Sequence, residues 1–102
     1  MVLLYVTASS RDEARKIGRT LVEERLAACV NILDKMVSIY HWRGKIEEAN
    51  EIVLLVKTRE ELFPKAEKRI KELHSYDNPC VIQIPVTNGS KEYLDWVEES
   101  TY

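Results

Sequence analysis

The sequence predicts an α+β fold in which two helices pack on one face of a four-stranded antiparallel sheet. Strand and helix patterns follow each other in the order β-α-β-β-α-β, and a short helix comes last. The chain has 102 residues, of which 45% are hydrophobic, and this suits one domain with one core. We therefore expect a single domain over residues 1–102.

The first strand is predicted over residues 2–7, a run rich in apolar residues. Ser10 and Glu13 have the spacing of a capping box, so the first helix should begin at Arg11. Its buried stripe repeats at helical spacing and consists of Ala14, Ile17, Gly18, Leu21 and Val22. The glycine on this stripe indicates a close approach of helix to sheet.

A long β-hairpin is predicted in the middle of the chain. Its first strand covers residues 29–33 and 36–42 and is interrupted near Asp34 and Lys35. Residues 43–45, Arg-Gly-Lys, predict the turn, and the returning strand covers residues 46–58.

A second helix should follow, because Thr58 and Glu61 repeat the capping-box spacing. Pro64 fits its first turn, where a missing N–H is tolerated, and the helix should end near His74. The apolar stripe of this helix consists of Leu62, Ala66, Ile70 and Leu73.

The last part of the chain predicts the fourth strand and the terminal helix. The strand covers residues 81–86, and Pro85 marks it as an edge strand or marks its end. Ser90 is expected to cap the helix. Two β-α-β halves in this order predict a ferredoxin-like βαββαβ sandwich with an additional C-terminal helix.

Two strands of the predicted sheet are apolar on both faces. Residues 2–6 and 52–56 contain no alternation of apolar and polar side chains, which a sheet with one solvated face would show. The helices can cover only one face. We therefore expect an oligomer, in which a second copy of the chain covers the other face.

The composition argues against several classes of partner. A formal net charge of −2 gives no basic surplus for a nucleic-acid backbone. RNA-recognition domains of this topology stack bases on aromatic residues of their central strands, whereas here only Tyr5 is aromatic. Met1 leads into a strand without a basic leader, and no stretch has the length of a membrane span. We expect neither nucleic acid nor membrane as a partner.

The two cysteines, Cys29 and Cys80, form no C-x-x-C pair and are too sparse for a disulfide framework. This usage predicts a cytoplasmic protein with reduced thiols.

Five segments carry a resemblance to a known family. They are LAACVN at 26–31, SIYHWRGKI at 38–46, KT at 57–58, HSYDNP at 74–79 and YLDW at 93–96. In this order they resemble the CutA family, the divalent-cation tolerance proteins. The resemblance implies a ferredoxin-like fold and a homotrimer similar to the PII signalling proteins, with sheets associated edge to edge around a central axis. It also implies a role in the response to copper and other divalent metal ions.

The chain departs from the family pattern at several positions. Ser75 stands where the family usually has the proline of His-Pro-Tyr, and Cys80 stands where it usually has glutamate. Leu73 and Val6 occupy positions at which some members have a histidine and a cysteine. Of that ligand set only His74 carries over.

His74 and Cys80 are the candidate metal ligands. An imidazole at a helix end and a thiolate shortly after it could approach each other, and this pair suits copper or zinc. The alternative is that His74 caps the helix or hydrogen-bonds within the fold, because a metal site needs further ligands.

Eight residues are candidates for a ligand cleft between subunits. Tyr40 and Trp42 share a strand face, which suits either a subunit contact or a cleft wall. Lys57 beside a helix N-terminus could bind an anion, although capping alone accounts for Thr58. Cys29 fits a small buried hydrophobe better than a ligand. The full set is Cys29, Asn31, Tyr40, Trp42, Lys57, Thr58, Tyr76 and Trp96.

Three functions remain open on this basis. The favoured one is a trimeric metal-response protein that binds copper or another divalent ion. The others are a PII-like regulatory module that binds a small anionic ligand and a trimeric scaffold for another protein. No nucleophile, base and orienting group form a recognisable set, so we predict no catalytic residues, no enzyme and no organic cofactor.

Overall fold

A computed structural model describes all residues, 1–102. The elements are β1 (Val2–Ala8), α1 (Arg11–Glu23), β2 (Cys29–Trp42), β3 (Lys45–Thr58), a 3₁₀ turn (Glu60–Leu62), α2 (Phe63–Leu73), β4 (Val81–Pro85) and α3 (Lys91–Glu99). The four strands form one antiparallel sheet in the order β2-β3-β1-β4, which confirms the ferredoxin-like arrangement. No helix has the length and hydrophobicity needed to cross a membrane.

The core lies between the sheet and the two longer helices. Leu4 and Leu54 of the central strands and Ile17 and Ile70 of the helices are fully buried. A Cβ atom on Gly18 would lie 3.1 Å from Cγ1 of Val30, so the glycine allows α1 to approach β2, as predicted.

The prediction for Val22 is wrong, because its side chain is 40% exposed. Each step of four residues along a helix turns the side chain by roughly 40°. The side chains at positions 14, 18 and 22 therefore point progressively away from the sheet, so that Gly18 is still buried but Val22 is not.

The caps of the helices agree with the prediction in only one case. The Ser10 hydroxyl accepts a hydrogen bond from the Glu13 N–H at 3.1 Å and caps α1. Ser90 occupies the N-cap position of α3, but its hydroxyl donates to the Glu92 carboxylate at 3.1 Å rather than capping a backbone N–H.

Thr58 does not cap α2. It is still part of β3, its side chain is fully buried, and its hydroxyl donates to the Leu26 carbonyl at 2.7 Å. The 3₁₀ turn then precedes α2, which begins at Phe63 with Pro64 in its first turn, as predicted.

The interruption in β2 is a β-bulge within one continuous strand. Leu33 pairs with Val53 and Met36 with Glu51, so β2 contains one residue more than β3 between these pairs. Lys35, inside the bulge, has a φ of 65°, in the left-handed region.

The β2–β3 hairpin projects beyond the rest of the sheet. β1 ends at Ala8, which pairs with Ile52, so residues 45–51 of β3 pair only with β2. We call this two-stranded part, residues 36–51, the ribbon. It carries exposed apolar side chains, and Val37, Ile39 and Ile46 are 59%, 66% and 64% exposed.

The sheet face opposite α1 and α2 is also apolar. Tyr5 and Leu55 are half-buried there, and Leu33, Ile82 and Ile84 are exposed. A two-stranded ribbon and an apolar face of this size are typical of surfaces that another chain covers. The oligomer stays a prediction, and the ribbon and the open sheet face are the surfaces that it would bury.

Replacing Thr58 with valine should lower the free energy of unfolding by about 1–3 kcal/mol, because the Leu26 carbonyl loses a buried donor while the volume stays similar. Urea denaturation at one fixed protein concentration measures this change. The control is Thr87→Val at an exposed loop position, which should change it by less than about 0.5 kcal/mol. Equal losses in both variants would contradict a role for this hydrogen bond.

Candidate functional site

A cleft of about 530 Å³ lies where the ribbon meets the end of β1 and the loop between α2 and β4. Its walls include the rings of Tyr40 and Trp42 from β2 and of Tyr76 from the loop. Glu51 of β3 and Cys80 also line it. We call it the hairpin cleft. It contains three of the eight predicted cleft residues and one of the two predicted metal ligands.

Glu51 is the most buried acidic residue in the hairpin cleft, with 9% of its surface exposed. The Tyr76 hydroxyl donates to Oε2 of Glu51 at 2.9 Å. Burial raises the pKa of Tyr76, and the hydrogen bond and negative charge of Glu51 raise it further, to about 12. Burial and then the charge of Glu51 likewise raise the pKa of Cys80, so its thiol is protonated at neutral pH.

His74 lies just outside the cleft and holds its loop in place. Its side chain is fully buried. Nδ1 accepts a hydrogen bond from the Tyr76 N–H at 3.1 Å, so the other nitrogen, Nε2, carries the proton and donates to the Thr7 carbonyl at 2.6 Å. In this arrangement neither ring nitrogen has a free lone pair for a metal. Ligation by His74 stays a prediction, and it would require both hydrogen bonds to break.

Glu13 fastens the same loop to the start of α1. Its carboxylate accepts hydrogen bonds from the Ser75 N–H at 2.9 Å and from the Ser9 N–H at 3.1 Å. Burial alone would raise the pKa of Glu13, but the hydrogen bonds from Ser75 and Ser9 outweigh burial and lower it. Glu13 therefore acts as a partly buried anchor for the loop as well as a residue of the first helical turn.

The remaining predicted cleft residues lie elsewhere in the chain. Cys29 pairs with Lys57, and the Lys57 amine is 5.3 Å from the centre of the Tyr93 ring, which itself is 5.5 Å from the Trp96 ring. Proximity to Tyr93 raises the pKa of Lys57. Lys57 is six strand positions from Glu51, which corresponds to roughly 20 Å. Six of the eight predicted residues thus form two separate groups within one chain.

Two of the eight join neither group. Asn31 is an exposed residue of β2 that pairs with Leu55, and Thr58 belongs to the core. Sequence reasoning also missed Glu51. Its only signal in the sequence is a carboxylate at the start of an apolar stretch. Such a carboxylate by itself is more typical of a strand end than of a binding site.

The donor set of one chain does not form a complete metal site. No group of three or more His, Cys, Asp or Glu side chains lies close enough together to hold an ion. Structural zinc sites use four protein ligands and catalytic sites use three. A metal bound in the hairpin cleft would therefore need ligands from outside this chain.

Comparison with known proteins gives consistent matches over the whole chain. A model of the CutA1 divalent ion tolerance protein family matches residues 2–100. The divalent-cation tolerance protein CutA of Thermus thermophilus is 48% identical, over 97% of this chain and 96% of that protein. A solved structure of the divalent cation tolerance protein from T. thermophilus has a TM-score of 0.97, with 47% identity and 100% of both chains covered. The structure of the periplasmic divalent cation tolerance protein CutA from Archaeoglobus fulgidus has a TM-score of 0.95, with 46% identity and 98% of both chains covered.

Replacing Glu13 with glutamine should lower the free energy of unfolding at neutral pH and make it depend less on pH in the acidic range. The folded pKa is lowered, so the stabilisation is present above the unfolded value of about 4.3 and is lost as the pH falls through the folded pKa. Urea midpoints between about pH 2 and 7 measure this. The exposed control Glu98→Gln should follow the wild-type curve. A Glu13→Gln curve parallel to wild type would show that this carboxylate does not supply the acid sensitivity.

Tyr76 should titrate later than an ordinary tyrosine. Because its folded pKa is about 12, above the usual value of about 10, its contribution to stability is lost as the pH rises through this interval. Absorbance of tyrosinate during an alkaline titration should show a late component that Tyr76→Phe removes. Tyr102→Phe, at a position 67% exposed, should leave the late component unchanged. The assignment fails if the late component survives in Tyr76→Phe.

Proposed function

This chain belongs to the CutA1 divalent ion tolerance family, and we propose that it acts in divalent-cation tolerance as a homotrimer that binds copper or another divalent metal ion. The observation that carries the proposal is the family match over residues 2–100. The family name describes tolerance of ions rather than a reaction. We propose the cytoplasm as its location, although the similar A. fulgidus protein is described as periplasmic.

The trimer is supported by the surfaces that one chain leaves uncovered. The ribbon exposes Val37, Ile39 and Ile46, and the open sheet face exposes Ile82 and Ile84 at its β4 edge. A closed assembly would bury these side chains, and heterologous contacts between different surfaces close into rings when the rotation allows it. Three copies are what the family resemblance implies.

Metal binding is proposed for Cys80, which is half-buried in the hairpin cleft as a free thiol. A soft metal such as copper would displace the thiol proton, so binding should weaken as the pH falls. Its remaining ligands would come from other copies in the trimer and, if the loop opens, also from His74. The bound metal would be sequestered by the protein, and we propose no reaction in which it takes part.

A second candidate is a regulatory module that binds a small anionic ligand. The observation that favours it is the amine of Lys57, which lies beside Tyr93 and forms no ion pair with a carboxylate. In a trimer this group could face the hairpin cleft of another copy. A scaffold for a protein partner is the third candidate, and it has no comparable observation in its favour.

Native mass spectrometry of the reduced protein tests the trimer and the metal together. We expect a mass three times the chain mass of 11.9 kDa, and whole-number uptake of Cu(I) or Zn(II). Cys80→Ser should weaken this uptake by roughly 10-fold or more, while the matched variant Cys29→Ser should keep it. A monomer would contradict the assembly. A trimer that takes up no metal, or whose uptake is unaffected by Cys80→Ser, would favour the regulatory role.

A further inference from the structure

We propose that the hairpin cleft binds an organic cation, an ammonium or quaternary ammonium group on a small apolar body. Glu51 would be its counter-ion and the rings of Tyr40, Trp42 and Tyr76 its walls. This inference does not depend on the metal proposal, because it uses the carboxylate and the aromatic rings rather than the Cys80 thiol.

The first argument is the uncompensated charge of Glu51. Only 9% of the surface of Glu51 is exposed, and its one hydrogen-bond partner is the Tyr76 hydroxyl. It takes part in no ion pair. A buried carboxylate is unfavourable unless it is paired with a cation. A cation in the cleft would supply this partner.

The second argument is the sign of the whole cleft. Asp77 adds a second carboxylate to its lining, whereas no lysine or arginine lines it and its one basic side chain is the imidazole of His41. Within one chain, this lining favours a cation over an anion.

The third argument is the aromatic lining. The face of an aromatic ring carries partial negative charge and attracts a cation within about 6 Å of its centre. Arg43 already shows this interaction, because its guanidinium carbon is 5.3 Å from the centre of the Trp42 ring at the tip of the ribbon. Three rings offer no ligand atoms of the kind that a zinc or copper ion prefers, but they suit the methyl or methylene groups of an organic ammonium.

The size of the cleft fits a small molecule. Its volume of about 530 Å³ lies within the range of about 300–1,000 Å³ that is usual for ligand pockets. One buried charged group and several aromatic walls are also the usual composition of such pockets.

The test compares choline with 3,3-dimethylbutan-1-ol, a neutral molecule of the same shape. Isothermal titration calorimetry on the intact protein should show choline binding at least about tenfold tighter than the neutral alcohol, and no binding of benzoate. Glu51→Gln should weaken choline binding by about tenfold or more, and Trp42→Leu by several-fold. Glu48→Gln, an exposed ribbon carboxylate that pairs with Ile39 on the other face, is the matched control and should leave binding unchanged.

Circular dichroism of each variant shows whether the fold is kept, and Trp42→Leu provides a second test if Glu51→Gln does not fold. The proposal is overturned if choline does not bind the wild type, as would happen if a side chain from another copy fills the cleft. It is also overturned if the neutral alcohol binds equally well, or if Glu48→Gln has the same effect as Glu51→Gln. Copper uptake measured on the same variants reports separately on the metal proposal.

Discussion

The structure depends most on a difference in strand length. β3 has 14 residues and β1 has seven, so half of the β2–β3 hairpin has no third strand beside it. Two-stranded ribbons are marginally stable in water by themselves. This one difference produces both the uncovered apolar surface of the ribbon and the corner at the end of β1 in which the hairpin cleft forms.

A connected set of hydrogen bonds closes that corner. Glu13 and His74 hold the loop after α2 against α1 and β1, and Tyr76 of the same loop reaches across to Glu51 of β3. The set links four parts of the chain through largely buried groups, in which hydrogen bonds are strong and unpaired groups are costly. The cleft walls are therefore positioned by the fold itself, and the histidine that the sequence offers as a ligand has a structural role in this arrangement.

The element order, the strand faces and the bulge region could be predicted from the sequence, because they depend on local periodicity and turn residues. The failures arise where tertiary contacts decide. Thr58 has the spacing of a cap, yet the register of β3 with β1 places its hydroxyl in the core. Glu51 could not be identified because its neighbours in space, Tyr76 and Cys80, come from a loop distant in sequence. The two groups of predicted cleft residues were indistinguishable in a linear sequence.

The bulge in β2 sets which side of the ribbon faces the cleft. Before it, odd-numbered residues such as Leu33 lie on the open face of the sheet, and after it even-numbered residues such as Tyr40 and Trp42 do. Side chains alternate strictly along a strand, so this change from odd to even numbers would not occur without the bulge. If the same residues were paired with β3 without a bulge, Val37 and Ile39 would lie on the cleft side and Tyr40 and Trp42 on the other. The bulge, whose residues contribute no ring to the cleft, thus decides which face of the ribbon carries the aromatic side chains.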